Sequence, residues 1–229
     1  MNAHAASLIR AIKSDDLSEV EAALKRNPEL ARGPIFDADH LDPQFNHWLY
    51  RGDTALHLAA VGYRETLVAR LLEAGADARA CGNRRRSQPL HYASDGSARC
   101  AEWNPTRQVA VIHLLIQAGA EVHAQDRNGA TPLHRAVRTR CSAAVKCLLE
   151  AGADPALRNE SGSTAFHLAV QNTGRGSSGS PASIEEQREI IRAFLEHGVP
   201  ASLADAEGKS ILDWARSDWI RTLLTPSNR

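Results

Sequence analysis

Several features that mark other classes of protein are scarce or missing in this sequence. No run approaches eighteen consecutive apolar residues, so we expect no segment to span a membrane. The opening stretch, MNAHAASLIRAIKSDD, has no basic segment before a long apolar core, so we expect no secretory signal. Lysine is rare, with 4 lysines against 23 arginines among the 27 basic residues. The formal net charge is zero, which argues against a protein that binds nucleic acid or an anionic membrane.

Cysteine is sparse, and the common catalytic motifs are missing. Cys81, Cys100, Cys141 and Cys147 have no CxxC spacing, and they favour reduced thiols in a cytoplasmic protein. The sequence contains no GxxxxGK[ST] for phosphate, no GxSxG for a serine nucleophile and no HExxH for zinc. We therefore predict no enzyme activity, no catalytic residue, no cofactor and no bound metal ion.

What the sequence does contain is a repeated pattern of about nine residues. GDTALHLAA stands at 52–60, SQPLHYAS at 87–94, GATPLHRAV at 129–137 and GSTAFHLAV at 162–170. Each copy carries a histidine at the same place (His57, His91, His134 and His167), with separations of 34, 43 and 33 residues. A period between about 20 and 50 residues indicates a repeat architecture.

A second pattern follows each copy of the first. Apolar pairs with the spacing i, i+1, i+4, i+5, such as Val111, Ile112, Leu115 and Ile116, place one apolar stripe along a helix. A glycine then ends each stripe, at positions 75, 119, 152 and 198, where a left-handed residue commonly terminates a helix. Each unit is thus predicted to be two short helices followed by a loop.

The repeated histidines suggest either a structural role or a ladder of metal sites. Neighbouring helices pack about 8–10 Å apart, which is too far for histidines of successive units to share a zinc ion with bonds near 2 Å. Each histidine also lies in the first turn of its helix, beside the N-cap. We therefore predict hydrogen bonds to the groups around the cap rather than metal ligation.

The tetrads TALH, QPLH, TPLH and TAFH, with the closing EAGAD, QAGAE, EAGAD and EHGVP, resemble ankyrin repeats over roughly residues 52–208. The resemblance implies an all-α fold, an ankyrin-repeat solenoid of stacked helix-turn-helix units with hairpin fingers. The predicted single domain, residues 1–229, divides into a degenerate N-terminal capping unit (5–30), a long lead-in finger (31–51), repeats at 52–83, 84–126 with an insertion, 127–159 and 160–204 with an insertion, and a C-terminal capping unit (205–229).

The resemblance also implies a function, because members of this family generally bind other proteins through a concave groove and carry no catalytic chemistry. We predict a monomer that binds an unidentified protein, specifically an acidic or phosphorylated segment, since arginine binds carboxylate and phosphate through paired hydrogen bonds. The predicted partner-binding residues are Trp48, Tyr50, Arg51, Arg84, Arg85, Arg86, Asp95, Trp103, Arg127, Arg138, Arg140, Gln171 and Asn172.

Three alternatives stay open. The insertions GSARCAEWNPT (96–106) and TGRGSSGSPASIEE (173–186) either extend the binding face or are tolerated drift in exposed loops. The abundance of arginine indicates either a basic groove or codon bias. A small-ligand or enzymatic pocket between the lead-in segment and the first repeats is the second function considered, with Asp39, His40 and His47 beside its aromatics.

Overall fold

The computed structural model describes residues 3–96, 103–171 and 180–225. This part of the chain is mostly helical, and the helices come in pairs that follow the repeat period. Within these ranges the twelve α-helices are α1 (Ala3–Lys13), α2 (Leu17–Arg26), α3 (Ala55–Val61), α4 (Glu65–Glu73), α5 (Pro89–Ser94), α6 (Pro105–Gln117), α7 (Pro132–Arg138), α8 (Ser142–Glu150), α9 (Ala165–Val170), α10 (Pro181–Glu196), α11 (Ile211–Trp214) and α12 (Asp218–Leu224).

The lead-in segment departs from the helical pattern. A short 3-10 helix, Pro28–Ala31, leads into a two-stranded antiparallel hairpin of β1 (His40–Asp42) and β2 (His47–Leu49). Leu41 and Trp48 are paired across the two strands. The fold is therefore helical with one small sheet, which lies before the first helix of the repeats.

Local signals in the sequence set the helix ends. Thr131 caps α7, since its hydroxyl accepts a hydrogen bond from the His134 backbone N–H, and Pro132 takes the first helical position, where no amide is needed. Gly75, which follows α4, has a φ of +86°, in the left-handed region where a side chain would be strained. The predicted glycine stops are thus confirmed by the backbone conformation.

The prediction that residues 173–186 form a loop is wrong for 181–186. These residues form the start of α10, which has sixteen residues, against nine in α8. Ser180 caps this helix and Pro181 takes its first position, a start signal within the predicted loop. In the same way α6 begins at Pro105 after the cap Asn104, inside the predicted insertion 96–106. Residues 97–102 of the first insertion and 173–179 of the second lie outside the described residues.

A continuous hydrophobic core joins the helix pairs. The first helices of successive pairs contact one another: α3 packs against α5, and α5 packs against α7. The second helices α4, α6, α8 and α10 also contact one another in this order. The apolar stripe on each second helix is the buried face, with Val111, Ile112 and Leu115 fully buried in α6. Across the described ranges, no helix has the length and apolar character needed to cross a membrane.

Candidate functional site

The four repeated histidines connect each unit to the next. The ring Nε2 of His57 lies 2.9 Å from the Ser87 carbonyl, and that of His134 lies 3.1 Å from the Ser163 carbonyl. His91 and His167 make the equivalent contact, to the carbonyls of residues 130 and 209. The predicted structural role of these histidines is confirmed, because each contacted carbonyl directly precedes the N-cap of the next unit.

This arrangement fixes the protonation state of the ring. In His57 the Nδ1 atom accepts a hydrogen bond from the Thr54 backbone N–H, so Nε2 carries the proton and donates it to the carbonyl. Burial lowers the pKa of His57, and it lowers the pKa of His91 to about 4, where the nearby Arg135 adds to the effect. The buried histidines are therefore neutral at physiological pH.

The hairpin is fastened to the helices at both ends. At its turn, Asp42 forms an ion pair of 2.7 Å with Lys13 of α1, and the buried Phe45 lies under the guanidinium of Arg64. Beyond β2, the buried Asp53 accepts hydrogen bonds from the Tyr50 backbone N–H and from the Tyr92 hydroxyl, each at 2.7 Å. The lead-in segment is thus part of the packed structure and forms a wall beside the first two repeats.

A cavity of about 370 Å³ lies between this hairpin and the helices. We call it the hairpin cavity. Most of its aromatic lining comes from the lead-in segment, while its charged lining comes from Arg85 before α5, Asp95 after α5, and Arg135 and Arg138 in α7. Its lining comprises Phe45, Asn46, His47, Trp48, Tyr50, Val61, Tyr63, Arg85, Tyr92, Asp95, Gly96, Arg135, Arg138 and Thr139.

A second cavity of about 280 Å³, the finger cavity, lies further along the repeats. Among the described residues, its lining includes Asn128, Asn159 and Ser161 but no phenylalanine, tyrosine or tryptophan. Both cavities are lined by Arg85, Arg135 and Arg138, which we call the arginine ridge. The ridge therefore connects two spaces of different chemical character.

Two of the ridge arginines have very different surroundings. Arg135 is buried, and its two terminal nitrogens lie 2.9 Å from Asp95 and 2.6 Å from Asp126. Burial alone would raise the pKa of Asp95, but Arg135 and His47 outweigh that effect and hold the pKa below its usual range. The side chain of Arg138 is 56% exposed and only reaches Asp95 at 3.5 Å. Arg138 is thus the ridge member that presents its charge to solvent.

The structure brings five of the predicted partner-binding residues together around the hairpin cavity. They are Trp48, Tyr50, Arg85, Asp95 and Arg138. Arg140 and Gln171 line, together with Arg138, a smaller apolar cavity of about 120 Å³ next to α9.

The remaining predicted residues lie elsewhere. Arg84 pairs with Asp39 and covers the Tyr50 ring, while Arg51, Arg86 and Arg127 are exposed and line none of the three cavities described. The indole N–H of Trp103 donates to Gln108, and this residue packs against the core. Asn172 lies outside the described residues.

The sequence analysis did not recognise that many of the lining residues come from the same two positions of each repeat. The position directly after the repeat histidine supplies Tyr92, Arg135 and Leu168. The position four after it supplies Val61, Asp95, Arg138 and Gln171. The signal was present in the repeat alignment, because these two columns change their chemistry from unit to unit while the histidine column does not.

The three polar residues of the alternative pocket do not come together. His47 lines the hairpin cavity and contacts Asp95 at 3.2 Å. Asp39 instead pairs with Arg84 and accepts a hydrogen bond from the Arg51 backbone N–H, and the His40 ring packs against Phe36 at a tilt of 43°. In the ranges that the structure describes, no group of three or more metal-ligating side chains is assembled.

Comparison with protein families agrees with the repeated helix pairs and their histidine contacts. A family model described as "Ankyrin repeats (3 copies)" matches residues 104–178, and a second, described as "Ankyrin repeat", matches residues 51–83. Residues 51–83 and 104–178 are therefore ankyrin repeats. Such repeats generally mediate protein–protein interactions and are typically not enzymes.

Two similar proteins are ion-channel subunits. The transient receptor potential cation channel subfamily V member 1 of Cavia porcellus is 33% identical over 117 residues, and that of Oryctolagus cuniculus is 30% identical over 117 residues. In each case the match covers 48% of this chain and 14% of the channel subunit. Since the chain matches so small a share of these relatives, channel activity is not carried over to it.

Proposed function

We propose that this chain is a non-enzymatic scaffold that binds an acidic or phosphorylated segment of a partner protein in the two cavities flanking the arginine ridge. In this proposal the units 52–83, 84–126, 127–159 and 160–204 stack as a solenoid between the end units 5–30 and 205–229, and the cavities open on its concave face. The contacts between helices support the stack, because each large contact joins elements of the same unit or of adjacent units.

The observation that carries the proposal is the exposed charge of Arg138 between two cavities. Its guanidinium has five N–H donors, and the contact with Asp95 at 3.5 Å leaves most of them available to a ligand. The other charges of the ridge are largely balanced within the protein, since Arg135 faces two carboxylates. A carboxylate or phosphate would therefore be recognised mainly by Arg138, with Arg85 beside it.

A selection from random nonamer peptides, with phosphoserine included among the building blocks, would test this function. We expect the protein of residues 1–229 to enrich acidic or phosphorylated sequences. Selected peptides should bind the Arg138→Glu variant at least tenfold more weakly, because the substitution places a like charge at the contact. Enrichment without any acidic preference would contradict the proposal.

The matched control is Arg107→Glu, which reverses the charge of another exposed arginine that lines neither cavity. Peptide affinity should stay within twofold of the original protein. Both variants are expected to melt within a few degrees of it, because both side chains are exposed. An equal loss of binding in the two variants would indicate non-specific attraction to arginine.

A second candidate function is favoured by one observation. The hairpin cavity has the volume of a small-ligand pocket, since such pockets run from roughly 300 to 1,000 Å³, and His47 lies beside Asp95 in its wall. Native mass spectrometry of the purified protein would show a retained small molecule under this alternative. A measured mass equal to that of the protein alone, together with peptide binding, would rule out the small-ligand function.

Two further properties stay predictions. We propose a cytoplasmic monomer, in which Cys141 and Cys147 are buried free thiols. Burial raises the pKa of both thiols to about 11, so neither is a ready nucleophile at neutral pH.

A further inference from the structure

The hairpin cavity differs from the finger cavity in its aromatic wall. The rings of Trp48 and Tyr50 lie nearly parallel, with centroids 6.4 Å apart and planes 16° from each other. The guanidinium of Arg84 lies over the Tyr50 ring, with its central carbon 5.4 Å from the ring centroid. Behind them the Tyr92 ring packs against both His47 and His57, at 4.8 and 4.9 Å. The wall is therefore a prearranged set of rings rather than a flexible loop.

Trp48 is the part of this wall that remains open. This tryptophan is 49% exposed. Among the described residues, the only other large hydrophobic residue that is exposed is Leu41, its cross-strand partner, at 50%. Phe45, Tyr63 and Tyr92 are almost fully buried and form the base beneath it. Tryptophan is enriched in protein interfaces, so an exposed tryptophan beside a cavity is a candidate contact for a bound side chain.

The charges in the cavity decide which kind of group the wall accepts. Aromatic walls attract cations through the ring faces, but here the positive charges of Arg135 and Arg138 lie in the same cavity. Asp95 is already in contact with both arginines and with His47, so its charge is not available to a bound cation. The cavity therefore favours an uncharged ring over an ammonium group.

We propose that the hairpin cavity holds an aromatic side chain of the partner segment, and that Arg138 binds an acidic or phosphorylated residue next to it in that segment. This inference rests on the proposed function and specifies its recognition unit as an aromatic residue adjacent to an acidic one. A ring against Trp48 and a carboxylate or phosphate on Arg138 combine the residue types that dominate interface energetics, namely tryptophan, tyrosine and arginine.

The geometry supports this pairing in two ways. Trp48 and Arg138 line the same cavity of about 370 Å³, so a ring and the acidic group beside it reach both at once. The finger cavity offers no comparable site for a ring, because no phenylalanine, tyrosine or tryptophan of the described ranges lines it and it shares with the hairpin cavity only the three arginines. The aromatic residue of the segment is therefore placed at the hairpin end of the ridge.

The selection from random nonamers also tests this inference. The expected result is enrichment of tryptophan, tyrosine or phenylalanine directly beside an acidic or phosphorylated position. Enrichment of acidic residues with no aromatic preference would overturn the inference and leave the proposed function standing. No acidic enrichment at all, or no binding, would overturn both.

Two variants then test whether the preference for an aromatic peptide residue depends on Trp48. With Trp48→Ala, a selected peptide should bind at least tenfold more weakly, while the same peptide with its aromatic residue changed to alanine should bind this variant and the original protein equally. Leu41→Ala is the control, because it removes a similarly exposed apolar side chain of the same hairpin that does not line the cavity. A Trp48→Ala variant that keeps the full aromatic preference would show that the ring binds elsewhere.

Discussion

At the scale of single residues, the buried histidines give the protein a stability that depends on pH. In the unfolded chain a histidine takes up a proton near pH 6.5, but the folded chain resists this until about pH 4 for His91. Between these values the unfolded state binds more protons, so the free energy of unfolding falls as the pH falls. His57, His134 and His167 act in the same direction, because burial lowers the pKa of each.

We therefore expect the melting temperature to drop steadily between pH 6.5 and pH 4. A single fully buried histidine contributes up to about 1.4 kcal/mol per pH unit within this window. His91→Gln should lower stability at pH 7.5 and make the pH dependence shallower, whereas His113→Gln, at an exposed histidine, should leave the slope unchanged. Calorimetry at several pH values measures this, and a melting temperature that is constant from pH 6.5 to pH 4 would contradict it.

The ridge arginines offer a second prediction at this scale. Arg135→Ala removes the cation that faces Asp95 and Asp126, so two buried carboxylates lose their closest positive charge. We expect a loss of about 3–5 kcal/mol in the free energy of unfolding. Arg138→Ala, one helical turn further on in α7, should cost less than about 1 kcal/mol because its side chain is largely exposed.

Urea unfolding of the two alanine variants provides the comparison. It separates an arginine that holds the structure from one that is available to a ligand. Similar losses for both variants would mean that Arg138 is also a structural residue, and this would weaken the proposed function.

The sequence predicted the repeat, the helix caps and the role of the histidines, because these depend on local patterns that recur. It did not predict that Arg135 is buried. That burial depends on Asp95, which lies forty positions earlier in another unit. The sequence suggested His47 for a pocket between the lead-in segment and the first repeats, but spacing alone could not place Tyr92 beside it, because their proximity depends on how the hairpin folds back on the repeats.

At the scale of elements, the hairpin is the feature that distinguishes this chain from a plain row of helix pairs. It is held through contacts with three other segments: Lys13 in α1, Arg64 before α4, and Asp53 before α3. The sequence showed only that residues 31–51 were too long for a simple finger. Its strands are three residues each, too short for an alternating pattern to predict them reliably.

Phe45 is the side chain through which this hairpin enters the core. It is 1% exposed, and its ring lies so close to Gly62 that a Cβ there would approach it to 2.9 Å. We expect Phe45→Ala to cost about 3–5 kcal/mol of local stability and to increase hydrogen exchange in β1 and β2.

Hydrogen exchange with mass spectrometry would report this effect strand by strand. Binding of aromatic-acidic peptides should weaken as well, because Trp48 lies on the loosened strand. Leu41→Ala is again the control, since its side chain is half exposed and should leave exchange nearly unchanged. Exchange that rises equally in α7 and α8 would indicate general destabilisation instead.

At the scale of the whole molecule, the contacts between helices are local, because each unit packs mainly against the units next to it in the sequence. Each large contact joins elements of the same unit or of adjacent units, and the histidine hydrogen bonds cross only one boundary. In such an arrangement stability is approximately a sum of unit terms and nearest-neighbour terms. A substitution that destabilises one unit should therefore destabilise the neighbouring units as well, and this effect should decrease with distance along the chain.

Phe194 in α10 provides the test of that behaviour. Its ring is fully buried and stacks on Phe166 of α9, with centroids 4.6 Å apart. We expect Phe194→Ala to cost about 3–5 kcal/mol and to raise hydrogen exchange in α8 to α12, with α1 to α4 unchanged. Leu8→Ala, at a fully buried position in α1, should give the opposite pattern. If either variant raised exchange evenly over all described helices, the molecule would unfold as one cooperative body, and a linear stack of units would no longer describe it.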